Sequence, residues 1–281
     1  MRRPLLTLAL LVVGCGSSAP PTAIGKAARG PRPASTIFIG AGDHRIMAVG
    51  CWDPARGTIA GADACAELAA PIVMGSDGAR YRVTGRLSDE CPVSEPTRVA
   101  AIAPETVGTG SGEPALAVAP PEVDLGYRAL PPAFDVDRKP TAPPLAAEVR
   151  AAIAARATAD LVGTAGETEI EPDALEIAQV VDVDLDGDRV VDRLVSANVP
   201  AGYADFVWSG LVLLPGKRAA DARTLWHDTV QVITVEATFE LDGDGVPELM
   251  FTGEYYESSR RGIARIADGA LVIIGSYGCG S

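Results

Sequence analysis

Histidine is nearly absent from this chain, with two among 281 residues, which excludes a His-rich metal centre. Aromatic residues make up only 5%. Positive charge is scarce too: Lys and Arg total 24 against 37 Asp and Glu, for a net charge of −13. That deficit argues against a nucleic-acid partner and against charge-driven binding to anionic lipid. No G-x-S-x-G, H-E-x-x-H or phosphate-binding glycine loop occurs, so no motif names a reaction. His44 and His227 each neighbour an Asp in sequence, but adjacent side chains point apart, and both read as surface or structural residues. Trp52, Trp208 and Trp226 read as core or sheet-packing residues. Long apolar runs are missing as well, since a membrane-spanning helix needs about 20 such residues. What is present is enough for a packed core: 47% of residues are hydrophobic and 22% charged. The length suits one to two domains.

Arg2 and Arg3 precede Leu5–Val13, an apolar stretch broken only by Thr7. Length and flanks fit a secretory signal peptide. It ends in Val12-Val13-Gly14-Cys15. This run resembles the bacterial lipobox, in which two aliphatic residues and a small residue precede a Cys that receives diacylglycerol. Val12 stands where Leu is usual. The resemblance implies cleavage before Cys15, lipid attachment at Cys15 and a palmitate-bearing anchor in the membrane. Loss of Arg2 and Arg3 would take the net charge to −15. Gly16 follows the Cys where Asp would signal inner-membrane retention, so the resemblance favours the outer membrane of the cell envelope.

The chain then divides by composition. Residues 1–14 are the signal peptide, and 15–34 read as a lipid-anchored flexible tether. Residues 35–103 read as a Cys-containing β module, with strands at Thr36–Ile39, Arg45–Val49 and Arg80–Leu87 and a short helix at Ala62–Ala70. Half of the 22 prolines fall in residues 92–144, so 104–144 reads as a Pro-rich linker or an extended surface segment. In 145–281 an Ala-rich helix opens, with Leu145, Val149, Ile153 and Ala157 four apart. Strands are expected at Ala178–Val183, Val190–Val199, Phe206–Leu214, Val230–Phe239, Glu248–Tyr256, Ile263–Ile266 and Ala270–Ile274. The expected class is mainly β. It comprises a C-terminal β-meander, sandwich or propeller-like fragment, one Ala-rich helix and a small disulfide-bearing N-terminal β module.

One pattern repeats. Asp184-Leu185-Asp186-Gly187-Asp188-Arg189-Val190-Val191-Asp192 matches Glu240-Leu241-Asp242-Gly243-Asp244-Gly245-Val246-Pro247-Glu248, 56 residues later. Carboxylates stand at positions 1, 3, 5 and 9 of both copies. Alternate residues of a tight loop can aim oxygens at one centre, and glycine lets the backbone wrap around it. Four carboxylates so placed repel one another unless a cation intervenes. Ca2+ suits such a shell because it takes six to eight oxygens in flexible geometry. The carbonyl of Val190 or Val246 and water would complete it. An EF-hand is excluded, since position 12 is Arg193 counted from Asp182 and Phe251 counted from Glu240.

Both segments resemble the D-x-D-G-D-G-x-x-D loops of FG-GAP and VCBS repeats, the calcium loops of integrin-like β-propellers. The resemblance implies Asp184, Asp186, Asp188 and Asp192, and Glu240, Asp242, Asp244 and Glu248, as calcium ligands. Arg189 replaces a usual Gly, and the second copy begins and ends with Glu. Two copies do not make a propeller, so two packed meanders or a sandwich fit better.

Four cysteines remain after Cys15. Cys51, Cys65, Cys91 and Cys279 in an exported chain suggest two disulfides. Three connectivities are open, with Cys51–Cys65 plus Cys91–Cys279 the first choice because the local pair closes a short loop. No C-x-x-C is present, which argues against zinc. The function expected is a lipid-anchored, calcium-stabilised, non-enzymatic envelope protein that binds or scaffolds an envelope protein or glycan. The alternative is an anchored calcium-dependent hydrolase of envelope glycans or phosphoesters, which needs a carboxylate with a raised pKa in a pocket and would be favoured by a deep cleft at the acidic loops. A third reading is a subunit of an envelope complex docked through the Pro-rich segment.

Overall fold

The computed structural model describes residues 32–62, 71–87, 99–106, 113–134, 139–164, 168–202, 205–255 and 258–280. The lipobox with Cys15, most of the helix expected at Ala62–Ala70, and Cys65 and Cys91 lie outside these residues. The chain is mainly β, with a single α-helix among the described residues.

Seven strands form the N-terminal part: β1 (Ser35–Gly40), β2 (Arg45–Asp53), β3 (Thr58–Gly61), β4 (Ile72–Gly75), β5 (Arg80–Leu87), β6 (Val99–Pro104) and β7 (Leu116–Ala119). Their order is β1-β7-β4-β5-β6-β2, and β1 pairs back onto β2, so six strands close into a barrel while β3 extends from β2. Closure removes the exposed strand edges of an open sheet. Side chains alternate across β1. Phe38 enters the barrel with Ile46, Val73, Tyr81 and Ile102, while Ile37 and Ile39 face outward into a second core. Both faces are buried, which explains the unbroken apolar run from Ile37 to Ile39.

Here the structure differs from the sequence expectation. The Pro-rich segment is not only a linker, because β7 lies within it and all four of its residues are buried. Pro114 and Pro120 bracket this strand without entering it. Proline disrupts a ladder only where its missing N–H is needed. A second short strand, β8 (Arg128–Ala129), leaves the same segment to pair with a later sheet.

Helix α1 (Ala147–Leu161) follows, then two antiparallel meanders. The first is β9 (Glu176–Val183), β10 (Asp192–Pro200), β11 (Phe206–Leu214) and β12 (Arg223–Asp228). The second is β13 (Val232–Phe239), β14 (Glu248–Glu254), β15 (Ser258–Ala267) and β16 (Ala270–Gly280), with β8 added beside β13. The last two strands run longer than their apolar residues suggest, since cross-strand pairing continues to Ser258–Gly280. β12 has no counterpart in the strands expected from sequence. Its Leu225 and Trp226 are flanked by Arg223, His227 and Asp228, and its inward face is defined by the neighbouring sheet.

The layers stack in chain order. Val149, Ile153, Ala157 and Leu161, spaced four apart on α1, pack on Val195, Ala197, Trp208 and Val212 of the first meander. Asp160 pins the helix by accepting from Trp208 Nε1 at 3.1 Å and Thr224 Oγ1 at 2.8 Å. The opposite face of that meander meets the second through Val181, Val183, Leu194, Leu211 and Leu213 against Ile233, Val235, Leu249 and Phe251. Buried Gln179 bridges the two sheets. It donates to Val235 O at 2.8 Å and accepts from Val235 N at 2.8 Å. The second meander then packs its other face, with Ala237, Phe239 and Met250, on the outer face of the barrel. A lone meander would leave two apolar faces in water. Two copies suffice here because the helix covers one end of the pair and the barrel covers the other.

Candidate metal centres

Each acidic segment is the connection between the first and second strands of its meander: 184–191 joins β9 to β10, and 240–247 joins β13 to β14. The two loops share one hydrogen-bond register. At position 1, Asp184 Oδ1 accepts from Gly187 N at 2.8 Å, and Glu240 Oε1 accepts from Gly243 N at 2.8 Å. At position 3, Asp186 accepts from Asp188 N at 3.1 Å, and Asp242 from Asp244 N at 3.0 Å. At position 5, Asp188 accepts from Val190 N and Asp244 from Val246 N, both at 2.6 Å. These contacts turn alternate carboxylates toward one side of the loop. Oxygens of Asp184, Asp186 and Asp188 lie within 4.8 Å of one another, and so do those of Glu240, Asp242 and Asp244.

Position 9 behaves differently from the other three. Asp192 and Glu248 are buried at 4% and 3% exposure, on the first residues of β10 and β14. Asp192 accepts from Leu185 N at 3.2 Å and from Gly216 N at 2.8 Å, while Glu248 accepts from Leu241 N at 2.7 Å. Each thus ties the loop's position-2 amide to the following strand. The position-2 side chains are fully or almost fully buried. Leu185 lies in the core between the meanders and Leu241 in the core against the barrel.

The electrostatics reflect crowded negative charge. Burial pushes the Glu248 carboxyl up to about 8, with Asp242 and Glu240 adding to the effect and the Leu241 amide opposing it. Glu240 is raised by burial and by Asp244, against the amides of Gly245 and Gly243 and the charge of Arg32. Asp186 sits at the exposed tip of its loop. It is raised by desolvation within the loop and by Asp188 and Asp192, so the position-9 carboxylate acts on the same cluster. Each loop thus clusters three carboxylates, hard oxygen donors of the kind a Ca2+ shell uses, while Asp192 and Glu248 stand outside the two clusters.

Positions 4 and 6 of both loops take left-handed backbone: Gly187 at φ 75°, Arg189 at 71°, Gly243 at 86° and Gly245 at 85°. Arg189 therefore holds a conformation that costs a residue with a Cβ about 1 kcal/mol. We expect Arg189→Gly to stabilise the protein by up to about 0.6 kcal/mol, the strain relieved less the extra chain entropy of glycine when unfolded. Urea midpoints would show it, and a midpoint lower than that of the parent would refute the assignment of strain.

The loops also touch. A Cβ on Gly187 would lie 2.5 Å from Gly245 O, so the first loop rests directly on the second. The second rests in turn on Arg32, whose Nε and Cδ would lie 3.4 and 3.6 Å from a Cβ on Gly243. Arg32 is 8% exposed and its Nη1 donates to the Glu240 carbonyl. Arg32, inside the segment read as a tether through residue 34, is thus packed against the second loop. Nothing in the sequence distinguishes Arg32 from other basic residues of that segment, since its burial depends on a loop about 200 residues away.

The remaining candidates group elsewhere. Two cavities, of about 440 and 410 Å3, meet at Tyr127, and neither is lined by a residue of the acidic loops. His44 lies exposed in the turn between β1 and β2, and His227 lies exposed on β12. Trp208 is fully buried. Cys51, on β2, is disulfide-bonded. Its partner is not among the described side chains, and the Cys279 side chain also lies outside them. No protein-family model, curated protein or solved structure matches the chain.

Proposed function

We propose that this chain is a lipid-anchored protein of the bacterial cell envelope, with a β stack stabilised by calcium and a binding or scaffolding role rather than a catalytic one. The observation that carries the metal reading is the repetition. Two loops of nine residues, in equivalent places of two meanders, orient alternate carboxylates through the same backbone contacts. Asp184, Asp186, Asp188 and Asp192 would hold one ion, and Glu240, Asp242, Asp244 and Glu248 the other. A bound Ca2+ would supply the positive charge that joins each loop to the start of the next strand. The chain's own residues position the oxygens, exclude water from positions 2 and 9 and transmit order to the sheets. An envelope protein or a glycan is the class of partner this assigns, and nothing supports nucleic acid.

Anchoring rests on Val12-Val13-Gly14-Cys15 and on Gly16 for the outer membrane. Cys15→Ser is expected to abolish palmitate labelling and leave the protein unprocessed or soluble. Labelling at the parent's level would remove the lipoprotein reading. For the metal, calorimetric titration of the chelated protein is expected to give two calcium sites per chain, in the roughly 10⁻⁴–10⁻³ M range of extracellular calcium modules. Absence of binding at millimolar calcium would reduce both loops to acidic turns.

A further inference from the structure

The two loops have the same internal geometry but different supports. The first loop sets Gly187 on a neutral backbone carbonyl, that of Gly245. The second sets Gly243 on the guanidinium stem of Arg32. Arg32 therefore occupies, beneath the second loop, the place that the second loop occupies beneath the first. Its Nη1 donates to Glu240 O, the carbonyl of the loop's first ligand position. Its Nη2 is buried and has no hydrogen-bond partner. A guanidinium stays charged at any pH a protein tolerates. A buried charge without a paired counter-ion is costly. The negative field of the second loop is what offsets that cost here.

We propose that Arg32 is a resident counter-ion of the second loop that opposes calcium there, making Glu240–Glu248 the weaker of the two sites and coupling it to the docking of the segment that carries Arg32. This inference rests on the calcium reading above. A fixed positive charge beside a divalent-cation site lowers affinity by Coulomb repulsion. By linkage, filling the site must loosen Arg32 by the same factor. With charges of one and two about 6 Å apart, screening as strong as that of bulk water still leaves an effect of about tenfold, and any lower local dielectric enlarges it. Among the described residues no buried basic side chain lies beneath the first loop, and the nearby Arg193 and Lys217 are paired with Asp182. The first loop's own basic residue, Arg189, is exposed to solvent, where screening is strong.

The test is calorimetric titration of CaCl2 into the full chain, with Asp186→Asn and Asp188→Asn silencing the first loop so that one site is read. Arg32→Gln is expected to bind calcium at least about tenfold more tightly at low salt, with the gain shrinking as KCl is added. Arg32→Lys keeps the charge and is expected to stay near the parent. Equal or weaker binding in Arg32→Gln overturns the proposal. So does an Arg32→Lys shift as large as that of Arg32→Gln, because shape and not charge would then be responsible. If the chain with both loops intact binds no calcium, the calcium reading falls and this inference falls with it. Binding that is indifferent to Arg32 overturns this inference alone.

Discussion

Calcium added to the chelated protein is expected to raise its melting temperature by about 5–10 °C. Each loop brings three carboxylates within 4.8 Å of one another, and Glu248 and Glu240 are already shifted up by burial and by their neighbours. An ion bound to the folded state alone, at 100 times its dissociation constant, contributes about 2.7 kcal/mol. In a domain of this size each kcal/mol corresponds to about 2–4 °C. Asp242→Ala or Asp186→Ala should reduce the rise, because each removes a ligand from a triad whose oxygens lie within 4.8 Å. Magnesium should do less, since it demands tighter octahedral geometry and retains its waters. Differential scanning calorimetry of the full chain, with calcium and then with a chelator, decides the matter. A melting temperature indifferent to both would sink the metal reading while leaving the fold untouched.

Gly275→Ala is expected to be the most damaging single methyl in the described part of the chain. β16 crosses β2 of the barrel so closely that a Cβ at Gly275 would lie 1.9 Å from Val49 O and 2.9 Å from Val49 C. Both are backbone atoms of a strand paired on each side, so no rotamer change can relieve the overlap. A Cβ on Gly61 would lie 2.9 Å from Ile274 O, and one on Gly50 3.0 Å from Ile274 Cγ2 and Ile263 Cδ1, so the seam between barrel and meander depends on missing side chains at several points. Overpacking of this kind costs about 3 kcal/mol or more. That corresponds to a fall of about 6–12 °C. Gly85→Ala is the control, because nothing lies within 4 Å of a Cβ there, and it should change stability by less than about 0.5 kcal/mol. A Gly275→Ala midpoint no lower than that of Gly85→Ala would show that the two layers are not in contact as described.

Much of the secondary structure was legible because it is written in local periodicity. The four-residue spacing of Val149, Ile153 and Ala157 defines α1, and runs rich in Val, Ile and Leu define β9, β10, β11, β13 and β14. The acidic repeat was legible for the same reason, since the chemistry of each loop is contained in nine consecutive residues. The register that orients Asp184, Asp186 and Asp188, and Glu240, Asp242 and Asp244, needs no distant partner. Strands β3, β4, β6, β7 and β12 were not legible. They are short, or Ala- and Pro-rich, and their strand state comes from neighbours that lend hydrogen bonds and cover both faces. β7 is the plainest case: Leu116–Ala119 sits among prolines, yet its pairing with β1 and β4 completes the barrel.

The sequence by itself determined where the carboxylates stand along the chain, because a loop's spacing is covalent. Only the tertiary structure decided that the first loop lies on the second, that Arg32 lies beneath the second, and that a helix and a barrel close the two ends of the pair. The physical reason is that these contacts join residues separated by 50 to 200 positions through backbone approach at glycine and burial of one charged side chain. Neither leaves a periodic trace in the residues that make it.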